Sequence, residues 1–195
     1  VLTLSCAIFL MSCKTSNVTS TIKNDVSVSI DLVNVTDDKV KVTIINPTIT
    51  TETTTFNIPK IVPGTYSEDN YGRFVDNVKA FDKKGNPLKI AKMDENSYTI
   101  YEATKLAKLT YNVSDTFDTE GGAGFGESED IFSPAGTNIK AGENFMLNTH
   151  GFVGYFEGKS EIPYTVEVKH PATLWGATSL IDTNPSNEID TYNTS

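Results

Sequence analysis

The sequence predicts an all-β fold: a two-sheet, β-sandwich-like domain over residues 26–180, behind a short leader. Three observations carry this. Apolar residues alternate with polar ones in short runs. Val, Ile, Thr, Tyr and Phe dominate those runs, side chains that suit a pleated, half-buried surface. Gly, Pro and Asn punctuate the chain between them, as turns require. No window sustains a 3.6-residue period beyond a couple of turns, so the pattern gives strands and not helices. Strands at short spacing with such punctuation fit two packed sheets.

The elements follow in order. Residues 25–33 alternate strictly, with Val26, Val28, Ile30 and Leu32 on one face, and Val40, Val42 and Ile44 repeat the pattern after the turn-like Asn34–Asp38. Two such runs joined by a short polar loop read as a β-hairpin. Thr50–Ile58 is a further β-prone run ended by Pro59. Pro63-Gly64 is a turn signal, because Pro presets φ and Gly supplies φ > 0 at the next position. Phe74, Val75, Val78 and Phe81 precede the loop Lys83-Lys84-Gly85-Asn86-Pro87. Ser97–Tyr101, Leu106–Val113 and Ile162–Val168 complete the expected strands, with Pro171 closing the last. From Ile181 the chain turns polar, and residues 181–195 are expected to form no strand or helix. They read as a truncated junction.

Length and charge bound the function. The 195 residues suffice for one domain and a sizeable core. A net charge of −9 argues against nucleic acid as a partner, since neutralising phosphates needs clustered Lys and Arg. Residues 1–12 read as an N-terminally clipped signal peptide. Val1–Met11 is apolar and uncharged, has the length of a signal-peptide core, and is too short to span a bilayer, which needs ~20 residues. Leu10-Met11-Ser12-Cys13 resembles a bacterial lipobox, which implies lipidation at Cys13, a tether over 13–25, and an exported protein anchored in the periplasm or outer membrane. Met11 departs from the small or β-branched residue usual at its position. Cys6 falls in the leader and Cys13 at its end, so the mature domain has no cysteine left for a disulfide.

Ile58-Pro-Lys-Ile-Val-Pro-Gly-Thr-Tyr66, Gly72-Arg73-Phe74 through Gly85, Tyr111-Asn-Val113, Thr149-His150-Gly151-Phe152 and Trp175-Gly-Ala-Thr-Ser179 together resemble the N-terminal β-domain of the glycyl aminopeptidase family of zinc metallopeptidases. Lys60-Ile61-Val62 departs from the apolar, often Trp-containing segment that many relatives carry before Pro-Gly. The resemblance implies a parent enzyme that releases N-terminal Gly or Ala from peptides by zinc-activated water, in a catalytic domain that follows this one. There a His-Glu-x-x-His helix holds the metal. Neither His150 nor His170 has a second histidine at that spacing, so no catalytic residue and no zinc ligand is assigned in this chain. The implied partners are the parent's catalytic domain, peptide substrates, and a membrane through the lipid anchor. An alternative reading is a stand-alone, lipid-anchored β-sandwich that binds peptide or glycan.

Pro63, Gly64, Tyr66, Arg73, His150, Gly151 and Trp175 are the candidate cleft-facing or structural motif residues. His150 reads first as a half-buried turn histidine satisfied by backbone carbonyls, with Gly151 and Gly154 marking tight backbone, and second as a cleft-facing group. Trp175, the only tryptophan, reads as a core or interdomain plug. Arg73 and Asp69 are expected to form an exposed pair. Asp115–Asp130 (with Asp118, Glu120, Glu127, Glu129 and Asp130) reads as a solvated acidic loop, since its spacing does not fit a calcium loop.

Overall fold

The structure, a computed structural model, describes residues 25–45, 48–117, 131, 135–184 and 186–194. The leader, Cys13 and its tether as far as residue 24 lie outside them, as do Asp118, Glu120, Glu127, Glu129 and Asp130 of the acidic stretch.

Among the described residues the chain is built of strands: β1 (Val26–Thr36), β2 (Lys39–Ile45), β3 (Thr53–Asn57), β4 (Val75–Asp82), β5 (Pro87–Leu88), β6 (Ile90–Lys92), β7 (Ser97–Tyr101), β8 (Leu106–Ser114), β9 (Asn138–Lys140), β10 (Asn144–Met146), β11 (Tyr155–Phe156), β12 (Tyr164–Lys169) and β13 (Ile189–Asn193). A one-turn helix, α1 (Thr149–Phe152), and two 3-10 turns at Tyr71–Phe74 and Ala103–Lys105 interrupt them. A seven-stranded sheet runs β13-β12-β1-β2-β8-β4-β5, a four-stranded sheet runs β11-β3-β7-β6, and β9 and β10 form a separate ribbon. The all-β expectation holds.

The predicted hairpin is β1–β2, and its turn residues Asp37 and Asp38 both have positive φ, 52° and 51°. That is the two-residue turn whose twist matches the flanking strands, and Asp tolerates the left-handed region better than most residues. Register then aligns the alternating residues across the large sheet. Val168, Ile30, Val42 and Tyr111 form one row, and Val166, Val28, Ile44, Leu109 and Ala80 the next. Because side chains alternate with period two, one register choice puts all of them on one face, buried from Ile30 and Val28 onward and half-buried at Val166 and Val168.

The four-stranded sheet supplies the facing layer. Phe56 on β3 lies 5.7 Å from the Tyr111 ring of the large sheet and 5.3 Å from Phe156 on β11. All three rings are fully buried, and the Tyr111 hydroxyl donates to the Phe152 carbonyl at 2.6 Å. Burial raises the Tyr111 hydroxyl above the ordinary phenol range, so it is a neutral donor.

Two features depart from the sequence reading. β1 pairs with β12 in parallel, which alternation cannot reveal. And the tail read as strandless forms β13, antiparallel to β12 from Thr165↔Asn193 to Lys169↔Ile189. Its residues, Ile-Asp-Thr-Tyr-Asn, lack an apolar face, which hides it from a pattern search, but backbone pairing to β12 needs none.

Candidate functional site

Pro63-Gly64 forms the expected turn. The Thr65 amide donates to the Val62 carbonyl at 3.2 Å, Pro63 occupies the first central position, and Gly64 has φ 95°, as a type II turn requires. The amides of Asp69 and Asn70 both donate to the Lys60 carbonyl, closing the loop at its base. Tyr66 at its tip is fully exposed with φ 57°. The loop thus presents Pro63, Gly64 and Tyr66 on the surface.

Just beyond the loop, the 3-10 turn at Tyr71–Phe74 packs on α1. The Tyr71 hydroxyl accepts from Asn148 Nδ2 at 3.1 Å and reaches the Ala135 carbonyl at 3.0 Å and Asp69 Oδ2 at 3.2 Å. Burial, with the Asp69 carboxylate beside it, raises this phenol too. Asn148 also caps α1, its Oδ1 accepting from the His150 amide at 3.1 Å. Asn148 and the buried Phe152 therefore fix where His150 stands. Gly151 is buried, with room at ordinary contact distance from the Tyr71 ring, whereas a Cβ at Gly154 would meet Phe56 at 2.3 Å. The tight backbone is at Gly154. Asp69 is buried, not exposed as expected, and is bonded to Ser67 and Tyr71; Arg73 is exposed, with its guanidinium 4.8 Å from the centre of the Phe74 ring. Asp115, the one acid of the acidic stretch that is described, is buried, its carboxylate accepting from the amides of Phe117 and Ile139.

His150 and Trp175, 25 residues apart in sequence, line one open cleft of ≈ 780 Å³. Its floor is the β1–β12–β13 end of the large sheet, with Ile30, Leu32, Val166, Val168, Asp190 and Tyr192. One wall runs from Glu143 through Phe145 and His150 to Tyr155; the other is the segment from Leu174 to Leu180. Trp175 is 93% exposed, so it is no core residue; it stands at the rim. The cleft is within the size range of ligand sites and mostly apolar.

A polar cluster lies under the Trp175 wall. His170 is buried, with Nε2 3.3 Å from Asp190 Oδ1 and Nδ1 3.1 Å from the Pro171 carbonyl. The Tyr192 hydroxyl donates to Asp190 Oδ2 at 3.1 Å; burial and that carboxylate push it up to about 12. Gly176 sits directly on this cluster, where a Cβ would come 2.3 Å from Asp190 Oδ2. Glycine is what lets the segment lie this close.

This arrangement can hold an apolar surface and orient it with a few polar groups. It does not fit zinc. Among the described residues no group of three or more His, Cys, Asp or Glu side chains stands where it could bind a metal ion, and both ring nitrogens of His170 face protein acceptors. His170, Asp190 and Tyr192 were not among the sequence candidates. The one available signal was the run Asp190, Tyr192, Thr194, polar groups at alternate positions and so on one face of a strand.

Comparison with known proteins sets the site in context. The family model described as Peptidase M61 N-terminal domain matches residues 27–195. In structure the chain is similar to an aminopeptidase N family protein from Idiomarina loihiensis, with a TM-score of 0.69 and 14% identity, over 87% of this chain and 27% of that one. A mutant of a two-domain M1 zinc metallopeptidase bound to L-tryptophan also matches, with a TM-score of 0.38 and 13% identity, over 87% of this chain and 38% of that one. The chain thus spans well under half the length of either. No curated protein matches it.

Proposed function

The chain belongs to the Peptidase M61 N-terminal domain family, and on that premise we propose that it is the non-catalytic front domain of a zinc-dependent, glycyl-aminopeptidase-like metallopeptidase, where it shapes the cleft that receives peptide N-termini. The family match over residues 27–195 carries the reading. The open cleft lined by His150 supports it, since that wall offers aromatic and polar groups, with His150 fixed by the Asn148 cap and the buried Phe152. The zinc, the general base and the attacking water belong to a catalytic domain of the same polypeptide. Lipidation at Cys13, holding the enzyme at a membrane of the cell envelope, completes the proposal and rests on the lipobox-like Leu10–Cys13.

The test is kinetic. In the parent polypeptide His150→Ala should raise KM for a glycine-amide peptide while kcat stays within about twofold, the signature of lost substrate positioning and not of lost chemistry. An unchanged KM contradicts the cleft-shaping role. A parent without any peptidase activity contradicts the whole reading.

A further inference from the structure

β10 (Asn144–Met146) is an edge strand: β9 pairs with one side of it, and among the described residues nothing pairs with the other. One hydrogen bond fixes the direction of its backbone groups. The Ile139 amide on β9 donates to Asp115 Oδ2 at 2.6 Å, so it points away from β10. Phe145 stands directly opposite Ile139, and opposed residues in an antiparallel ladder exchange both bonds or neither. The Phe145 N–H and C=O therefore face the free edge. Glu143, Asn144 and Phe145 in succession line the open cleft, so that edge borders it. An unpaired N–H and C=O on an edge strand are a template for one more extended chain.

The cleft beside the edge selects what such a chain carries. Its floor is apolar, with Ile30, Leu32, Val166 and Val168. Its opposite wall is the strap from Leu174 to Leu180, anchored where the Leu174 amide donates to the Pro171 carbonyl and where Gly176 rests on the Asp190 carboxylate. Among the described residues no Lys or Arg lines the cleft, which argues against an anion or a peptide C-terminus. Both of its carboxylates are engaged, Asp190 by His170 and Tyr192, and Glu143 by Lys140 at 2.7 Å. Neither is left for the ammonium group of a peptide N-terminus. At ≈ 780 Å³ the space is also far larger than a glycine or alanine side chain fills.

We propose that this cleft takes the stretch of a peptide substrate that follows its N-terminal residue. That stretch adds to the free edge of β10 as an extended strand, with alternate apolar side chains turned onto the β1–β12 floor. The proposal rests on the reading above and deepens it: the small first residue goes on to the catalytic domain, and the residues behind it supply the affinity. Backbone bonds to an edge hold any sequence, and pockets for alternate side chains choose among sequences. The three residues of β10 span ~10 Å, so about two side chains from one face of the added strand reach the floor.

Trp175 is the chain's one tryptophan and lines the cleft, so its emission reports occupancy without a label. The probe is Gly-Leu-Thr-Leu-amide, titrated into the chain, with Gly-Ser-Thr-Ser-amide as its polar counterpart. The leucine peptide should shift Trp175 emission and bind at least about tenfold more tightly, since its side chains alone bury apolar area. Methylating its backbone nitrogens one at a time should weaken binding with a period of two. The loss should be at least about tenfold at an amide that faces β10 and under about twofold at the next. With peptide at ten times Kd, exchange of the Phe145 amide should slow about tenfold. Equal affinity for the two peptides, no saturable shift at millimolar concentration, or methyl effects that do not alternate would overturn the proposal. None of these readouts needs catalysis. Failure in a chain whose parent cleaves glycine-amide peptides leaves the peptidase reading standing. Alternation in a chain whose parent has no peptidase activity keeps the site and removes that reading.

Discussion

Over β2 and β8 the large sheet is closed by its own second layer: Phe56, Phe156 and Tyr98 face Val42, Ile44, Leu109 and Tyr111, all of them buried. Over β1, β12 and β13 the same sheet faces an open cleft, and the inward positions pass from Ile30 through Val168 to Asp190. Both ends obey the same alternation. What separates them is whether the four-stranded sheet reaches far enough to cover the row. The closed end holds the domain together, and the open end keeps apolar surface available to something else.

Phe56→Ala is the strongest challenge to this contrast. It empties the contact between the two sheets and should cost about 3–5 kcal/mol, read as a lower urea midpoint. Tyr111→Phe is subtler: it keeps the ring and removes the donor to the Phe152 carbonyl, leaving a buried acceptor without its partner. It should cost about 1–3 kcal/mol by the same measurement. At the open end Gly176→Ala should push the strap off Asp190 for about 1 kcal/mol, with faster amide exchange confined to the strap. Trp175→Ala, the largest truncation available, should change the isolated chain's stability by less than about 0.5 kcal/mol, because its ring is already in solvent. A cost for Trp175→Ala comparable to that of Phe56→Ala would erase the distinction between the two ends.

The closed end was largely legible in the sequence. Strict alternation located β1, β2, β8 and β12, and Ser97–Tyr101 coincides with β7. Over β2, β8 and β7 each row has a partner on the opposite layer, so burial and pattern agree; β1 and β12 keep the alternation although they border the open cleft. The open end was legible only in fragments. β13 joins the sheet through backbone pairing alone, so Ile189–Asn193 shows no apolar face. Trp175 misleads because its hydrophobicity says buried, whereas its place on an anchored strap leaves it outside. His150 and Trp175 were recognised singly. Their meeting across one cleft depends on the parallel β1–β12 pairing, a long-range choice that no local window encodes.

The central claim, that this chain is the metal-free front of a zinc peptidase, is tested most directly by one paired measurement. Zinc content and hydrolysis of a glycine-amide substrate are determined for the isolated chain and for the parent polypeptide. The account predicts stoichiometric zinc and chelator-sensitive hydrolysis in the parent, and neither in the isolated chain, whose described residues offer no three-ligand group. Tightly held zinc with chelator-sensitive peptidase activity in the isolated chain would contradict it.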